Sequence, residues 1–267
     1  MSTLDKARIG IKVLCALVLS VGMMAVLPGV ATAEGGGGIF NYITFCDPVY
    51  DNGTPTPPTD PQVFGAFTDL RRGTQINQDV AKCVLNLTGS VGSAGDMWIT
   101  MFHPPGAPAL TFQCGIVAAE VTIHRFDNRK AVGVVTNYDP ASGKGLFLGL
   151  YDNGNSDALT LSTFEATATT AGKLTGTVAN VFLGSKVKEN AWYIVELNFC
   201  NDGGNFVSTG GFVLDGDTFE ELGGFEISDG TPLPTGISPS GQIGIAGQAK
   251  NSFVDSSVTG FGWAWIN

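Results

Sequence analysis

The chain has 267 residues, 43% of them hydrophobic and 14% charged, with 37 glycines, 13 prolines and a formal net charge of −10. A charged fraction well below the ~25% of ordinary globular proteins argues against disorder, coiled coils and long solvated helices. The acidic balance argues against a nucleic-acid partner, because tracking phosphates needs clustered Lys and Arg, and two histidines, His103 and His124, are too few for a multi-histidine metal centre.

Lys6, Arg8 and Lys12 precede an apolar run from Val13 to Val26, which Pro28 and Gly29 break before Ala31-Thr32-Ala33. A basic stretch, an apolar stretch and a small-x-small site form the pattern of a secretory signal peptide. Residues 1–33 are therefore expected to be removed on export, placing the protein outside the cytoplasm, extracellular or periplasmic. The run of about 14 residues falls short of the ~20 that a helical span needs. No later stretch is long and apolar enough, so no membrane span is expected after cleavage. A lipid anchor on Cys15 is disfavoured by Lys12, which sits where an apolar residue is wanted.

Cleavage removes three basic residues and one acidic one, taking the net charge from −10 to −12. It leaves Cys46, Cys83, Cys114 and Cys200. Four cysteines in an exported chain suggest two disulfides, with three possible connectivities. Separation along the chain favours Cys46–Cys83 with Cys114–Cys200. The absence of any Cys-x-x-Cys pair argues against a redox motif or zinc knuckle.

In the mature chain, Gly35 to Gly38 form a leader, and residues 54–61, rich in Pro, read as a surface loop that cannot donate to a sheet. Strands are expected at 39–46, 80–88, 96–102, 109–125 with a break near Gly115, 130–138, 145–151, 157–164, 173–182, 191–200, 204–214, 242–248 and 253–265. Asp152-Asn153-Gly154 and Asn201-Asp202-Gly203-Gly204 supply hairpin-turn chemistry. Only Asp217 to Leu222 reads as helical, for one turn. Many closely spaced strands without alternating helices predict an all-β sandwich or barrel.

Alternation sets the faces. Val117, Ala119, Val121 and Ile123 oppose Glu120, Thr122 and His124, while Tyr193, Val195, Leu197 and Phe199 oppose Trp192, Ile194, Glu196 and Asn198. One apolar and one mixed face suit a two-layer sandwich whose outer face meets water or a ligand. Gly145 to Tyr151 is apolar on both faces and is expected to be central. Residues 34–267 are read as one domain, with a less regular part before residue 109.

From Gly115 onward the chain resembles the concanavalin A-like lectin/glucanase superfamily in its laminin-G-like and glucanase-like jelly-roll forms. The resemblance is carried, in order, by four stretches. They are Ile116–His124 with Ala131–Tyr138, Gly145–Asn153, Lys188–Leu197 with its Trp192-Tyr193 pair, and Gly241–Ala246 followed by Phe253-Val254-Asp255. It implies two antiparallel sheets, one concave, often binding glycans on the concave face or its rim. It implies nothing about catalysis, because such folds host lectins, glycosidases and structural modules.

The Glu-x-Asp-x-(x)-Glu strand of retaining glycosidases in this superfamily is missing, and Glu226 in Phe225–Asp229 lacks its partners in what reads as a loop. Glu120 and Glu196, with His124 nearby, are placed on a concave sheet, primarily as solvated or ligand-binding residues. No Gly-x-Ser-x-Gly elbow supports a serine nucleophile. Asp152–Asp157 is rich in oxygen ligands but lacks the glycine and terminal glutamate of an EF-hand loop. Following the resemblance, a structural calcium is placed at Asp255 as the metal candidate, and no other cofactor is expected.

Trp98 and Trp192 are assigned to the core, whereas Asn137, Tyr138 and Asp139 at one strand end and Tyr151 and Asp152 at another are assigned to a ligand-binding rim. Phe261, Trp263 and Trp265 share one strand face and must be buried or exposed together. An outer-membrane barrel is disfavoured by uneven strand spacing and a terminal Asn267. The resulting expectation is an exported β-sandwich that binds a polysaccharide or cell-surface glycan without catalysis. The alternatives are a structural part of an extracellular layer and a divergent glycoside hydrolase.

Overall fold

A computed structural model describes residues 41–45, 63–64, 67–69, 75–79, 81–90, 96–103, 110–124, 130–152, 156–167, 172–248 and 253–265. Residues 1–33, expected to be a signal peptide, Cys46, and the Pro-rich residues 54–61, expected to be a surface loop, lie outside the described residues. Among the described residues there are seventeen strands: β1 Asn41–Thr44, β2 Val63–Phe64, β3 Phe67–Asp69, β4 Gln75–Asp79, β5 Val84–Ser90, β6 Asp96–Phe102, β7 Cys114–Ile123, β8 Lys130–Asp139, β9 Lys144–Asp152, β10 Asp157–Glu165, β11 Gly172–Gly184, β12 Trp192–Asp202, β13 Asn205–Phe206, β14 Thr209–Asp215, β15 Glu221–Ile227, β16 Gln242–Gln248 and β17 Phe253–Trp265. All pairings are antiparallel, in a nine-stranded sheet of order β15-β14-β12-β7-β17-β5-β4 with β1 on β17 and β13 on β12, and an eight-stranded sheet of order β11-β10-β9-β8-β16-β6-β3-β2.

The alternating strands build the core between the sheets. Val117, Ala119, Val121, Tyr193, Val195, Leu197, Phe199, Val258 and Phe261 of the first sheet are buried in one cluster with Trp98, Val132, Val134, Leu146, Leu148, Leu150, Leu159, Leu161, Ile243 and Ile245 of the second. Phe102 contacts both Phe261 and Trp263 across the interface, with ring centroids 5.6 and 4.1 Å apart. Phe261 and Trp263 are thus buried together, as their shared face demands, and β9 is central between β8 and β10.

The eight-stranded sheet also curls onto itself. Gly172 and Lys173 at the start of β11 pair with Met97 and Asp96 of β6, so that β11, β10, β9, β8, β16 and β6 close a ring. Side chains pointing away from the inter-sheet core fill that ring: Met97, Ile99, Met101, Val135, Tyr138, Phe147 and Phe164 form a second buried cluster. So tight a curl needs small residues on its inside. Gly133 and Gly149 face each other across β8 and β9; a Cβ on the first would run into the Leu148 carbonyl oxygen and on the second into the Phe147 ring.

Several local expectations are corrected. Asp217 to Leu222 is not helical; Gly216 to Thr218 turn, with the Asp215 carboxylate accepting the Asp217 and Thr218 N–H groups, and β15 begins at Glu221. The Asp215 side chain offers the backbone a turn that outcompetes a helix this short. Glu226 lies in β15 rather than in a loop; the stretch expected as a strand broken near Gly115 breaks at Gln113, and β7 starts at Cys114. The stretch before residue 109 contributes strands to both sheets.

The Cys114–Cys200 disulfide joins residues directly opposed on β7 and β12 and spans 86 positions. Cys83 is also disulfide-bonded, to a residue outside the described part. Replacing Cys114 and Cys200 together by serine is expected to lower unfolding free energy by ~2–5 kcal/mol in urea denaturation. Gly133→Ala is expected to lower it by at least ~1–3 kcal/mol, because the added methyl meets backbone; a neutral result would contradict the closed ring.

Candidate functional site

The predicted residues fall in three places. The first is the face of the nine-stranded sheet that points away from the core. Strand alternation sends Ile116, Ala118, Glu120 and Thr122 of β7 and Trp192, Ile194, Glu196 and Asn198 of β12 to this side. Glu120 is opposite Ile194, and Glu196 is opposite Ala118, so the two carboxylates are diagonal neighbours on adjacent strands, with Cα atoms ~7–8 Å apart. Both are buried, at 6% and 1% exposure, so neither is the solvated strand residue expected of an open concave face. Tyr42 of β1 lies across Gly260 toward Glu120. Burial pushes its phenol well above the ordinary tyrosine range, and the Glu120 carboxylate adds to the shift.

His124 continues this face beyond the end of β7. Its Nδ1 is 2.9 Å from Asn190 Oδ1 and its Nε2 is 2.6 Å from Ser257 Oγ, whose hydroxyl in turn donates to Asn86 Oδ1 at 2.8 Å. The Asn190 N–H donates to the Ile123 carbonyl at 2.9 Å, which sets this residue beside the ring. With the amides in these orientations, His124 satisfies both partners only as a double donor. A neutral ring requires one of the two amides turned: Asn190, so that its Nδ2 donates to Nδ1, or Asn86, so that its Nδ2 donates to Ser257 and the serine hydroxyl to Nε2. A serine, a histidine and an orienting asparagine are thus within hydrogen-bond reach, in the order a nucleophile requires. Ser257, however, is 1% exposed in a central strand and gives its proton to Asn86. The chain therefore ties β5, β17, the end of β7 and the loop before β12 together.

The second place is the mouth of the curled sheet. β11 pairs with β6 only at its start and then runs on past it as a lip. Phe182 near the end of this lip is 66% exposed. It is directly opposite Ala158, which is opposite Tyr151, which is opposite Ala131, making one cross-strand row on the concave side. In the next row Asn180, Thr160, Gly149, Gly133 and Ala246 follow one another, and the Thr160 hydroxyl donates to Asn180 Oδ1 at 2.6 Å. Tyr151 is half-buried, and burial raises its phenol well above the usual range. Asp152 pairs with Lys130 beside this row; its side chain and residues 153–155 lie outside the described part.

The third place is the far end of β8. Tyr138 is not at a rim: it is 3% exposed inside the ring, stacked on Phe164 with centroids 6.0 Å apart, and its hydroxyl donates to the Ala166 carbonyl at 3.2 Å. Burial, and secondarily Asp139, raises its phenol pKa. Asn137 has a φ of 54° at an irregularity of the β8 ladder; it is fully buried, donates to the Ser238 carbonyl at 2.8 Å and accepts from Thr136. Asp139 accepts the Ala141 and Ser142 N–H groups at 3.0 and 3.2 Å, which hold its carboxyl below the ordinary range.

Trp98 is fully buried, but Trp192 is half-buried on the outward face, where alternation within β12 directs it. Among the described residues no group of three or more His, Cys, Asp and Glu is arranged to hold a metal ion. The Asp157 carboxylate, buried, accepts the Val187 N–H at 2.9 Å, and the Asp255 side chain lies outside the described part. Sequence reasoning missed Ser257, Asn190 and Phe182. Phe182 carried a signal, as the one aromatic in a strand whose neighbouring positions include Thr175, Thr177 and Asn180; the Ser257–His124 contact carried none, because 133 positions separate the two.

No protein-family model matches the chain, and no curated protein matches it significantly. Among solved structures it is similar to xylan β-1,4-xylosidase from Bacillus halodurans C-125, at 12% identity and a TM-score of 0.50, over 89% of this chain and 41% of that one. The chain thus spans about two-fifths of that enzyme's length. It is also similar to a legume lectin-like domain from Entamoeba histolytica, at 5% identity and a TM-score of 0.46, over 76% of this chain and 91% of that one. A third similarity is to the carbohydrate-binding module CBM66 from Bacillus subtilis, at 11% identity and a TM-score of 0.39, over 66% and 94%. At 12% identity the likeness to the xylosidase shows the fold alone.

The Asp139 turn gives a pH prediction. A carboxyl held below its unfolded value stabilises the fold above that value and loses the contribution as pH falls through the folded one. Asp139→Ala is therefore expected to melt below the parent at neutral pH, and the gap to close as the pH is lowered through the carboxylate range; a constant gap would mean the ionised carboxylate contributes nothing.

Proposed function

We propose that this is an exported glycan-binding domain, and that it holds a polysaccharide or cell-surface glycan at the mouth of its curled sheet. The observation that carries the reading is the row of Phe182 and Tyr151. One ring is 66% exposed and the other half-buried, on one face, with Ala158 between them and the Thr160–Asn180 pair alongside. A large apolar ring standing on a strand without cover loses free energy to water and gains it under a ligand. Flat sugar faces present C–H groups to such rings while their hydroxyls meet amides and hydroxyls, and the small floor leaves room for a chain to lie across.

The similarity to a xylosidase and to proteins named as lectin-like and carbohydrate-binding supports the glycan class. The Cys114–Cys200 disulfide supports an oxidising compartment, in keeping with the signal-like first 33 residues. Binding rather than catalysis is favoured because the mouth, among the described residues, offers neutral side chains, while Glu120 and Glu196 sit on the other sheet's far face.

Affinity electrophoresis against a panel of soluble polysaccharides, xylan among them, tests the reading. At least one is expected to retard the protein, and Phe182→Ala to weaken that retardation about tenfold, or ~1.4 kcal/mol, with the melting temperature unchanged. No retardation by any polysaccharide on the panel would overturn it.

A further inference from the structure

We propose that the outward face of the nine-stranded sheet is a second binding site, which takes a neutral, hydroxyl-bearing ligand through the side chain of Asn198. Asn198 is 2% exposed, and neither its Oδ1 nor its Nδ2 has a hydrogen-bond partner among the described residues. A buried amide left unmatched on both its donor and acceptor sides is costly and rare, and in a native protein points to a group that completes it.

The strand register shows what surrounds it. Asn198 is opposite Ile116 on one side and Gly210 on the other, and Glu196, two residues back, is opposite Ala118 and Phe212. Glu120 is the diagonal neighbour of Glu196, and the Tyr42 hydroxyl, directed toward Glu120, is likewise without a hydrogen-bond partner among the described residues. Between these polar groups the floor is small: Ala118, Gly210, Gly262 and Ala264. Tyr42, Trp192, Phe212 and Leu214, all half-buried, edge it.

These chemistries select a ligand class. An amide that donates and accepts side by side matches a pair of neighbouring hydroxyls. Two carboxylates on the floor disfavour a phosphate or a uronate, whose charge they would repel in a poorly solvated place. A neutral saccharide or polyol fits, with its C–H faces on the aromatic edge. The ligand class rests on the glycan reading above, but the residues are different ones, on the opposite sheet.

Isothermal titration of the full chain with xylohexaose, cellohexaose and mannohexaose separates the two sites. In Phe182→Ala, which weakens the mouth about tenfold, binding of at least one hexaose is expected to persist at the parent's affinity. Adding Asn198→Leu, which replaces the amide by an apolar group of similar volume, is expected to weaken it at least tenfold at an unchanged or raised melting temperature. Persistent binding that ignores Asn198→Leu overturns this site, and so does loss of all binding on Phe182→Ala alone, a result that leaves the mouth standing. Full binding by Phe182→Ala that vanishes with Asn198→Leu supports this site and removes the mouth. If Asn198→Leu does not fold, crystals of the parent soaked in the bound hexaose decide: sugar density against Asn198 supports the proposal, and water alone there refutes it.

Discussion

One extra residue in the closing strand decides what each half of that strand does. Between Val258 and Gly260 the pairing of β17 with β7 slips, and Thr259 is the inserted residue. Strict alternation would put Ser257 and Phe261 on the same side. With the bulge, Val258 and Phe261 both enter the core, while Ser257 and Gly260 both face outward. The C-terminal half of β17 thereby supplies Phe261 and Trp263 to the inter-sheet packing, and its N-terminal half supplies the hydroxyl that His124 and Asn86 hold. Gly260, bare on the outward side, makes room for the Tyr42 ring opposite Glu120.

The two sheets then solve the same problem differently. Each has one face on the shared core and must do something with the other. The eight-stranded sheet curls until β11 meets β6 and fills the hollow with Met97, Met101, Phe147 and Phe164, leaving the lip of β11 outside, with β3 and β2 continuing beyond β6. Glycines at facing positions permit the curl, since any Cβ there would meet backbone or a ring. The nine-stranded sheet keeps its far face broad and places polar groups among small residues: Glu120, Glu196 and Asn198 beside Ala118 and Gly262. A sheet buried on both sides by apolar residues needs no such groups, and a buried amide such as Asn198 carries a cost that a matching group offsets.

This arrangement bears on how such a sandwich recognises anything. In the proposed reading the aromatic row at the mouth is a surface of contact, and the outward face a set of directed polar groups. Contact area gives affinity to chains of many compositions, and a buried amide discriminates, because a ligand that fails to match it leaves it desolvated.

Period-two patterning in the chain determined most of the architecture by itself. Val117 to Ile123 and Tyr193 to Phe199 alternate so regularly that their inward sides follow from sequence alone, and β6, β16 and β17 begin and end where the pattern does. The short pieces β2, β3 and β4 left no pattern, and β15, full of glycine, reads as loop because its pairing with β14 is a tertiary gain rather than a local preference. Likewise Glu120 and Glu196 could be assigned to one kind of face from alternation, but their burial could not, nor could the removal of Tyr138 from any rim into the ring. Alternation reports which side a residue takes; only the curl of one sheet, the bulge in another and the register between distant strands decide what lies on that side. Those depend on contacts across more than a hundred positions, such as His124 with Ser257, that no local stretch of sequence encodes.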